Sequence, residues 1–297
     1  MIDCRTSIPA GAILPPAQST TMKNLTAIIE QLAPSNLSVL IVGESGTGKE
    51  WTARTIHRLS PRASHKFLPI ECTTASADNL AKRIFGFEKI TPTGIEIRRG
   101  GLEMAEGGTI YLVDIGHLPL PLQKQIARIS GSTHFRRVGG QASTLCDVRI
   151  IASLRRKLRG SEEVGSFPWG IHHRISPIII NLPPLREHRE DIPHLIEKFL
   201  RQSGDPLSNS AMAISPEAIG LCLSYDWPGN IRQLQNALKY AAAICHDHLI
   251  QAEHLQLFID NSRLDGTSEE YPTSRISLLD SSQRVDRAPT PGQSQNK

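Results

Sequence analysis

Residues 38–42 read SVLIV, a short apolar run of branched side chains, and lead straight into Gly43-Glu44-Ser45-Gly46-Thr47-Gly48-Lys49 and then a segment of helical periodicity. A strand buried on both faces that turns through glycines into a helix constrains this chain more than any other feature. Glycines let backbone N–H groups close around a phosphate, the helix N-terminus adds the positive end of its dipole, and the lysine of G-x-x-x-x-G-K supplies a point charge for the β- and γ-phosphates. The pattern predicts a nucleotide cradle made by Gly43, Glu44, Ser45, Gly46, Thr47, Gly48, Lys49 and Glu50. Glu50 stands where the generic motif has a Ser or Thr whose hydroxyl contacts magnesium.

The rest of the first two thirds alternates between two periods. Leu25, Ile28, Ile29 and Leu32 recur at helical spacing until Pro34, and Ala53, Ile56 and Leu59 make one apolar face that Ser60-Pro61 closes. Strand-like runs follow at 67–71, 109–113, 148–152 and 178–182, and 120–129 places Leu122, Ile126 and Ile129 on one helical face. Strands alternating with helices predict an α/β fold with a parallel sheet wrapped on both sides. Beyond Pro183-Pro184 the stretches 190–200, 215–225 and 230–259 carry helical periodicity alone, which predicts a smaller all-helical domain. The expected division is a flexible arm at 1–21, the α/β nucleotide-binding part at 22–188, the helical part at 189–260, and a tail at 261–297. That tail holds seven Ser, three Pro, two Gly, and five Lys/Arg against five Asp/Glu, so it lacks the apolar surface to offset ordering entropy and is expected to be disordered.

Composition excludes more than it identifies. Lys and Arg number 33 against 29 Asp and Glu, and a net charge of +4 gives no signature of polyanion binding. The five cysteines, Cys4, Cys72, Cys146, Cys222 and Cys245, are far apart and odd in number, which argues for reduced thiols over a disulfide framework or a zinc cage. No apolar core of a signal peptide and no 18-residue apolar stretch occurs, so a cytoplasmic protein without membrane contact is expected. His172-His173 and His246-x-His248 lack ligand spacing and read as surface residues, Arg155-Arg156-Lys157-x-Arg159 reads as a solvated helix end, and Trp51 as a packing residue.

Five ordered motifs narrow the reading: GESGTGKE at 43–50, Glu103-Met-Ala-Glu-Gly107-Gly108-Thr109, Phe135-Arg-Arg-Val-Gly139, Leu182-Pro-Pro-Leu-Arg186-Glu187 through Arg189-Glu-Asp191-Ile192, and Trp227-Pro-Gly-Asn230-Ile231-Arg232-Gln-Leu234. From about Met22 to Ile259 the chain resembles the AAA+ ATPase domain of bacterial enhancer-binding proteins, the activators of sigma-54 RNA polymerase, in which Glu after the loop lysine is usual. The resemblance implies an α/β P-loop subdomain with a helical lid, ATP or ADP with Mg2+ as ligands, and a ring of self or related AAA+ subunits with nucleotide between them. It also implies that Arg232 acts as the second sensor toward bound nucleotide.

Several positions depart from that pattern. The family's hydrolysis strand ends in Asp-Glu, whereas here Val113 takes the first place and Asp114 the second; valine cannot coordinate a hard cation. Asp114 is then the one residue left to serve magnesium or the attacking water. The sensor Thr-Asn reads Leu154-Arg155, the first arginine reaching a neighbour's γ-phosphate reads Pro168, and Arg174 matches the second. The family's GAFTGA loop, which grips sigma-54, is Ile90-Thr91-Pro92-Thr93-Gly94-Ile95, one residue shorter and with proline in place of the aromatic. No pair of apolar-periodic helices follows Ile259, so no DNA-reading segment is expected there, and about 20 residues ahead of the ATPase part leave no room for a sensory domain. These residues predict an ATP-binding transcription regulator with weakened hydrolysis and sigma-54 contact, acting in a ring with a related subunit. The alternatives are an active ATPase in which Asp114 and Arg174 take over the lost roles, and a decaying paralogue.

Overall fold

The computed structural model describes residues 17–73, 76–92, 94–130, 132, 134–155, 175–203, 212–245 and 248–264. Helix α1 (Thr20–Leu32) starts at Ser19, whose Oγ accepts from the Met22 amide, and buries Met22, Leu25, Ile29 and Leu32. It is followed by β1 (Val39–Gly43), α2 (Lys49–Arg58), β2 (Phe67–Glu71), α3 (Ala77–Phe85), β3 (Phe87–Thr91), β4 (Gly94–Arg98), α4 (Gly101–Met104), β5 (Thr109–Val113), α5 (Leu120–Ile129), β6 (His134–Arg136), β7 (Ser143–Leu145), β8 (Arg149–Arg155) and β9 (Ile178–Asn181). Five of these strands form one parallel sheet in the order β2-β5-β8-β1-β9.

Side chains alternate across that sheet as its pleat requires. Leu40, Ile110, Leu112, Ile150 and Ala152 face a layer that includes Leu80 and Ile84 of α3 and Leu122 and Ile126 of α5. Val39, Ile41, Tyr111, Ile151 and Ile180 face α1 and α2 through Leu25, Ile29, Ala53 and Ile56. The sheet is thus covered on both sides, which is why β1 and β5 read as unbroken apolar runs, whereas the edge strand β2 exposes Pro69 and Glu71. Strand β8 runs three residues past the expected end at Ala152, to Arg155. Helix α2 stops at Arg58, leaving Leu59 beyond its last turn and 43% exposed instead of on the buried face.

The lid comprises α6 (Ile192–Ser203), β10 (Ala213–Ile214), α7 (Pro216–Ser224), α8 (Asn230–Ile244), β11 (Leu249–Ile250) and α9 (Ala252–Leu264). Its core gathers Leu185, Ile196, Phe199, Cys222, Leu234 and Leu238 around the fully buried Trp227, whose Nε1 donates to the Cys222 carbonyl at 2.7 Å. The lid is not purely helical. Residues 230–259 break into two helices because Cys245 turns extended and His248 adopts a left-handed backbone, after which Leu249-Ile250 pairs in parallel with Ala213-Ile214.

The two antiparallel ribbons β3–β4 and β6–β7 also went unsignalled in the sequence. Every residue of β4 is exposed, so no buried face imposes an apolar alternation there. The chain ahead of α1 is fastened as early as Gln18: its amide and that of Ser19 donate to Asp191, as does the Ser19 hydroxyl. Residues 1–16 of the expected arm and 265–297 of the expected tail lie outside the described residues, as does Cys4; the other four cysteines are unpaired.

Arg149 opens β8 with its guanidinium buried under the C-terminal end of α1. It donates to the carbonyls of Ala33 (Nη1, 2.7 Å), Leu37 (Nε, 3.2 Å) and Leu32 (Nη2, 3.4 Å), and burial pulls its pKa down to about 10. A cation at this end meets the negative pole of the helix and satisfies carbonyls that have no intrahelical donor. Arg149→Ala removes the donor to the Ala33 and Leu37 carbonyls, while the Leu32 carbonyl keeps the Ser35 amide and hydroxyl, and is expected to lower unfolding free energy by about 2 kcal/mol. Urea denaturation followed by circular dichroism measures this; an unchanged midpoint would show that the arginine contributes nothing net.

Candidate nucleotide site

The phosphate loop lies at the carboxyl edge of the parallel sheet, where β1 delivers Gly43 and α2 begins at Lys49. Gly46 and Gly48 hold φ of 75° and 95°. A Cβ on Gly46 would sit 2.2 Å from the Gly229 carbonyl oxygen, so side-chain sterics exclude every other residue there. Gly48 caps α2 without a side-chain acceptor, which leaves the first N–H groups of the helix facing the loop for an anion. Lys49 folds back so that Nζ donates to the carbonyls of Gly43 (3.0 Å) and Glu44 (2.8 Å). Burial lowers its pKa to about 8; Asp114 opposes that shift, and the nearby cations Arg155 and Arg232 add to it. Thr47 braces the turn by donating from Oγ1 to the Glu44 carbonyl at 2.9 Å.

Two residues outside the motif hold the loop. Arg186 grips the Glu44 carboxylate in a fork, Nη1 to Oε2 at 2.8 Å and Nη2 to Oε1 at 2.6 Å. Asn230 donates to Glu44 Oε2 (3.2 Å) and to the Ser45 carbonyl (2.9 Å) while its Oδ1 accepts from the Leu185 amide (2.8 Å). The Arg232 amide reaches the Gly46 carbonyl at 3.3 Å. Glu44, Ser45 and Gly46 therefore face the lid junction, which sequence spacing did not reveal although Arg186 and Asn230 belong to its quoted motifs. Glu50 is turned along its own helix, its Oε1 accepting from Arg54 Nε and Nη2 at 3.1 and 2.7 Å. Trp51 packs toward the lid, its ring 6.1 Å from that of Phe199 and 4.8 Å below the Lys198 ammonium.

At the ends of the neighbouring strands, Val113 turns toward the α1–α2 layer and Asp114 takes a left-handed backbone, φ 52°. The Asp114 amide donates to Ser153 Oγ at 3.0 Å, and its Oδ2 lies 3.5 Å from Arg155 Nη2. Its Oδ1 is buried without a partner among the described residues. The parallel register sets Arg155 beside Gly43, so the position read as the family's sensor brings a cation to the phosphate loop. Arg232 lies at the same edge, whereas Pro168, Arg174 and His172-His173 lie outside the described residues.

Magnesium can be weighed against these donors. Val113 offers none and Glu50 is committed to Arg54, but the orphaned Asp114 Oδ1 is an acceptor for an ion carried mainly by phosphates and water, the way this cation is commonly held. No group of three or more metal-binding side chains occurs among the described residues.

The β3–β4 ribbon carries the segment read as the counterpart of the GAFTGA loop. Ile90 pairs with Ile95, and Ile90, Ile95 and Ile97 are exposed by 83%, 61% and 53%. Arg137 anchors its base, forked onto Glu103 at 2.9 and 2.7 Å and 3.6 Å from Glu88.

Comparison with known proteins agrees with this arrangement. Residues 16–181 match the model of the Sigma-54 interaction domain and residues 186–271 that of the AAA+ ATPase lid domain. The DNA-binding transcriptional regulator NtrC of Escherichia coli (strain K12) is 39% identical over 274 residues, 91% of this chain and 58% of that protein. The Nif-specific regulatory protein of Herbaspirillum seropedicae is 38% identical over 237 residues, 80% of this chain and 44% of its own. The crystal structure of NtrX from Brucella abortus in complex with ADP superposes with a TM-score of 0.72 at 34% identity, covering 83% of this chain and 55% of that one. The chain thus spans about half the length of these relatives. Among the described residues no helix is long and apolar enough to cross a membrane. The chain belongs to the family of sigma-54-dependent transcriptional activators, carrying its sigma-54 interaction domain and the AAA+ lid.

Proposed function

We propose that this chain is a cytoplasmic transcription regulator that binds ATP or ADP in its phosphate loop and hydrolyses ATP slowly or not at all. The observation that carries the reading is the contrast at one sheet edge: a complete cradle from Gly43 to Lys49 beside a strand end where Val113 stands at the position read as the family's magnesium carboxylate. Phosphoryl transfer depends on positioning and on neutralising developing charge, so the loss of one carboxylate and of the arginine at Pro168 removes much of its catalysis. Binding needs only the cradle. Magnesium, when bound with the nucleotide, would neutralise phosphate charge, and Asp114 is the residue to hold it through water. Lys49 is drawn from its own carbonyl contacts to the β- and γ-phosphates, and Arg232 approaches from the lid.

The β3–β4 ribbon keeps its anchoring through Arg137 but carries Pro92 at the aromatic position, which supports a weakened sigma-54 contact. A subunit of this kind acts by joining a ring with an active relative that supplies the missing groups. Co-purification with such a relative in the presence of ATP is the expected result; recovery as a monomer with and without nucleotide would remove the ring from the proposal.

Fluorescent ATP-analogue titration of the wild type, with Lys49→Ala as control, is expected to show saturable binding that the substitution weakens at least tenfold, alongside ATP turnover close to background. Turnover at a rate ordinary for a working ATPase and abolished by Lys49→Ala would establish active catalysis instead. Absence of binding would point to a scaffold that has lost its ligand.

The lowered pKa of Lys49 gives binding a pH signature. With the free-state value at about 8, the ammonium is present below that pH and is lost as pH rises through it. Phosphate favours the charged form, so binding above pH 8 must take up a proton. Affinity is expected to be flat from pH 6.5 to 7.5 and to fall about tenfold per unit above 8. Titrations across this range check it, and a flat profile to pH 9.5 would exclude Lys49 as the phosphate ligand.

A further inference from the structure

We propose that Arg155 is a ligand of the terminal phosphate of ATP, supplied from within the same subunit, and that it makes the site select triphosphate over diphosphate. The inference rests on the nucleotide-binding reading above and names the residue that decides which nucleotide stays.

Four observations place Arg155 in that role. The β1–β8 register pairs it with Gly43, the first glycine of the phosphate loop, so its backbone is one strand spacing, about 4.8 Å, from the cradle. It ends β8 at the carboxyl edge of the sheet, where ligands of open α/β sheets sit. Its hold on Asp114 is loose: Nη2 to Oδ2 is 3.5 Å, well beyond the 2.7–2.9 Å of a formed charge-assisted bond. Finally, Arg155 Nε and Asp114 Oδ1 are both buried without a hydrogen-bond partner among the described residues.

A donor and an acceptor left unsatisfied on two neighbouring side chains are costly, and such groups call for a ligand, ion or water to complete them. Phosphate oxygens accept from a guanidinium in a planar fork, so a terminal phosphate beside Gly43 would satisfy Nε and the facing Nη group together. Asp114 would then be released from the guanidinium. Lys49, Arg155 and Arg232 gather at this edge with Asp114 and Glu71 as nearby carboxylates, while Glu44 is gripped by Arg186. A diphosphate ends one phosphate short of Arg155 and gains nothing from it. The cation that Pro168 no longer provides to a neighbouring subunit is thereby replaced by one in the subunit's own sheet.

The test is a pair of titrations with fluorescent ATP and ADP analogues, on wild type, Arg155→Ala and Arg155→Lys. Protein is held at a concentration at which sedimentation shows monomers. Wild type is expected to prefer the ATP analogue by about tenfold or more, the range of a hydrogen bond to a charged group. Arg155→Ala is expected to lose that preference while its ADP affinity stays within about twofold, which also reports an intact fold, and Arg155→Lys to recover part of it. Equal affinities in wild type, parallel weakening of both analogues in Arg155→Ala, or a preference seen only in oligomers would each overturn the assignment. Wild-type binding of both analogues without preference fails this inference alone; binding of neither fails the nucleotide-binding reading as well.

Discussion

The Glu44 carboxylate, buried between the sheet and the lid, is the contact on which the arrangement of the site depends. It accepts a two-bond fork from Arg186 in the segment leaving the sheet and a third bond from Asn230 at the start of α8. A bidentate guanidinium–carboxylate pair fixes direction as well as distance, and here both partners are largely shielded from water. The phosphate loop is consequently shaped by the lid as much as by its own glycines. Gly46 lies against the Gly229 carbonyl so closely that any side chain would force the two apart.

Coupling of this kind ties Trp227-Pro-Gly-Asn230 to the phosphate loop. Trp227 fills the lid core and bonds Cys222, the chain turns through Pro228 and Gly229, and Asn230 emerges in a left-handed conformation to reach both Glu44 and Leu185. A ligand that moves Lys49 off the Gly43 and Glu44 carbonyls acts on the same turn that holds the lid. At the other end of the lid, Asp191 gathers the amides of Gln18 and Ser19, so the entry to α1 is tied to the start of α6.

The end of β5 sets an apolar and a charged side chain next to each other at the sheet edge. Val113 joins the apolar layer beneath α1 and α2, and Asp114 sits close to the cations Lys49 and Arg155 with the Glu71 carboxylate also near. The β3–β4 ribbon is anchored at its base by Arg137 on Glu103, while Ile90 and Ile95 near its tip are exposed.

Much of this was legible from residue order. The apolar runs of β1 and β5 and the helical stripes of α1 and α5 report a sheet covered on both faces, because burial on both sides leaves no polar positions to blur the signal. The cradle from Gly43 to Lys49 was equally plain, since left-handed turns admit glycine and few other residues. The ribbons β3–β4 and β6–β7 were not, because exposed strands have no core to pattern against, and the two-residue strands of the lid exist only by pairing across 35 residues. Sequence likewise marked Leu154-Arg155 as a lost sensor but could not show that β8 continues to Arg155 and sets it against Gly43. Local chemistry and periodicity determined where phosphate binds. Only the strand register and the lid's return onto the loop decided which distant side chains, Arg155, Arg186 and Asn230, share that site, because proximity across a sheet or between domains is created by packing and leaves no mark on neighbouring residues.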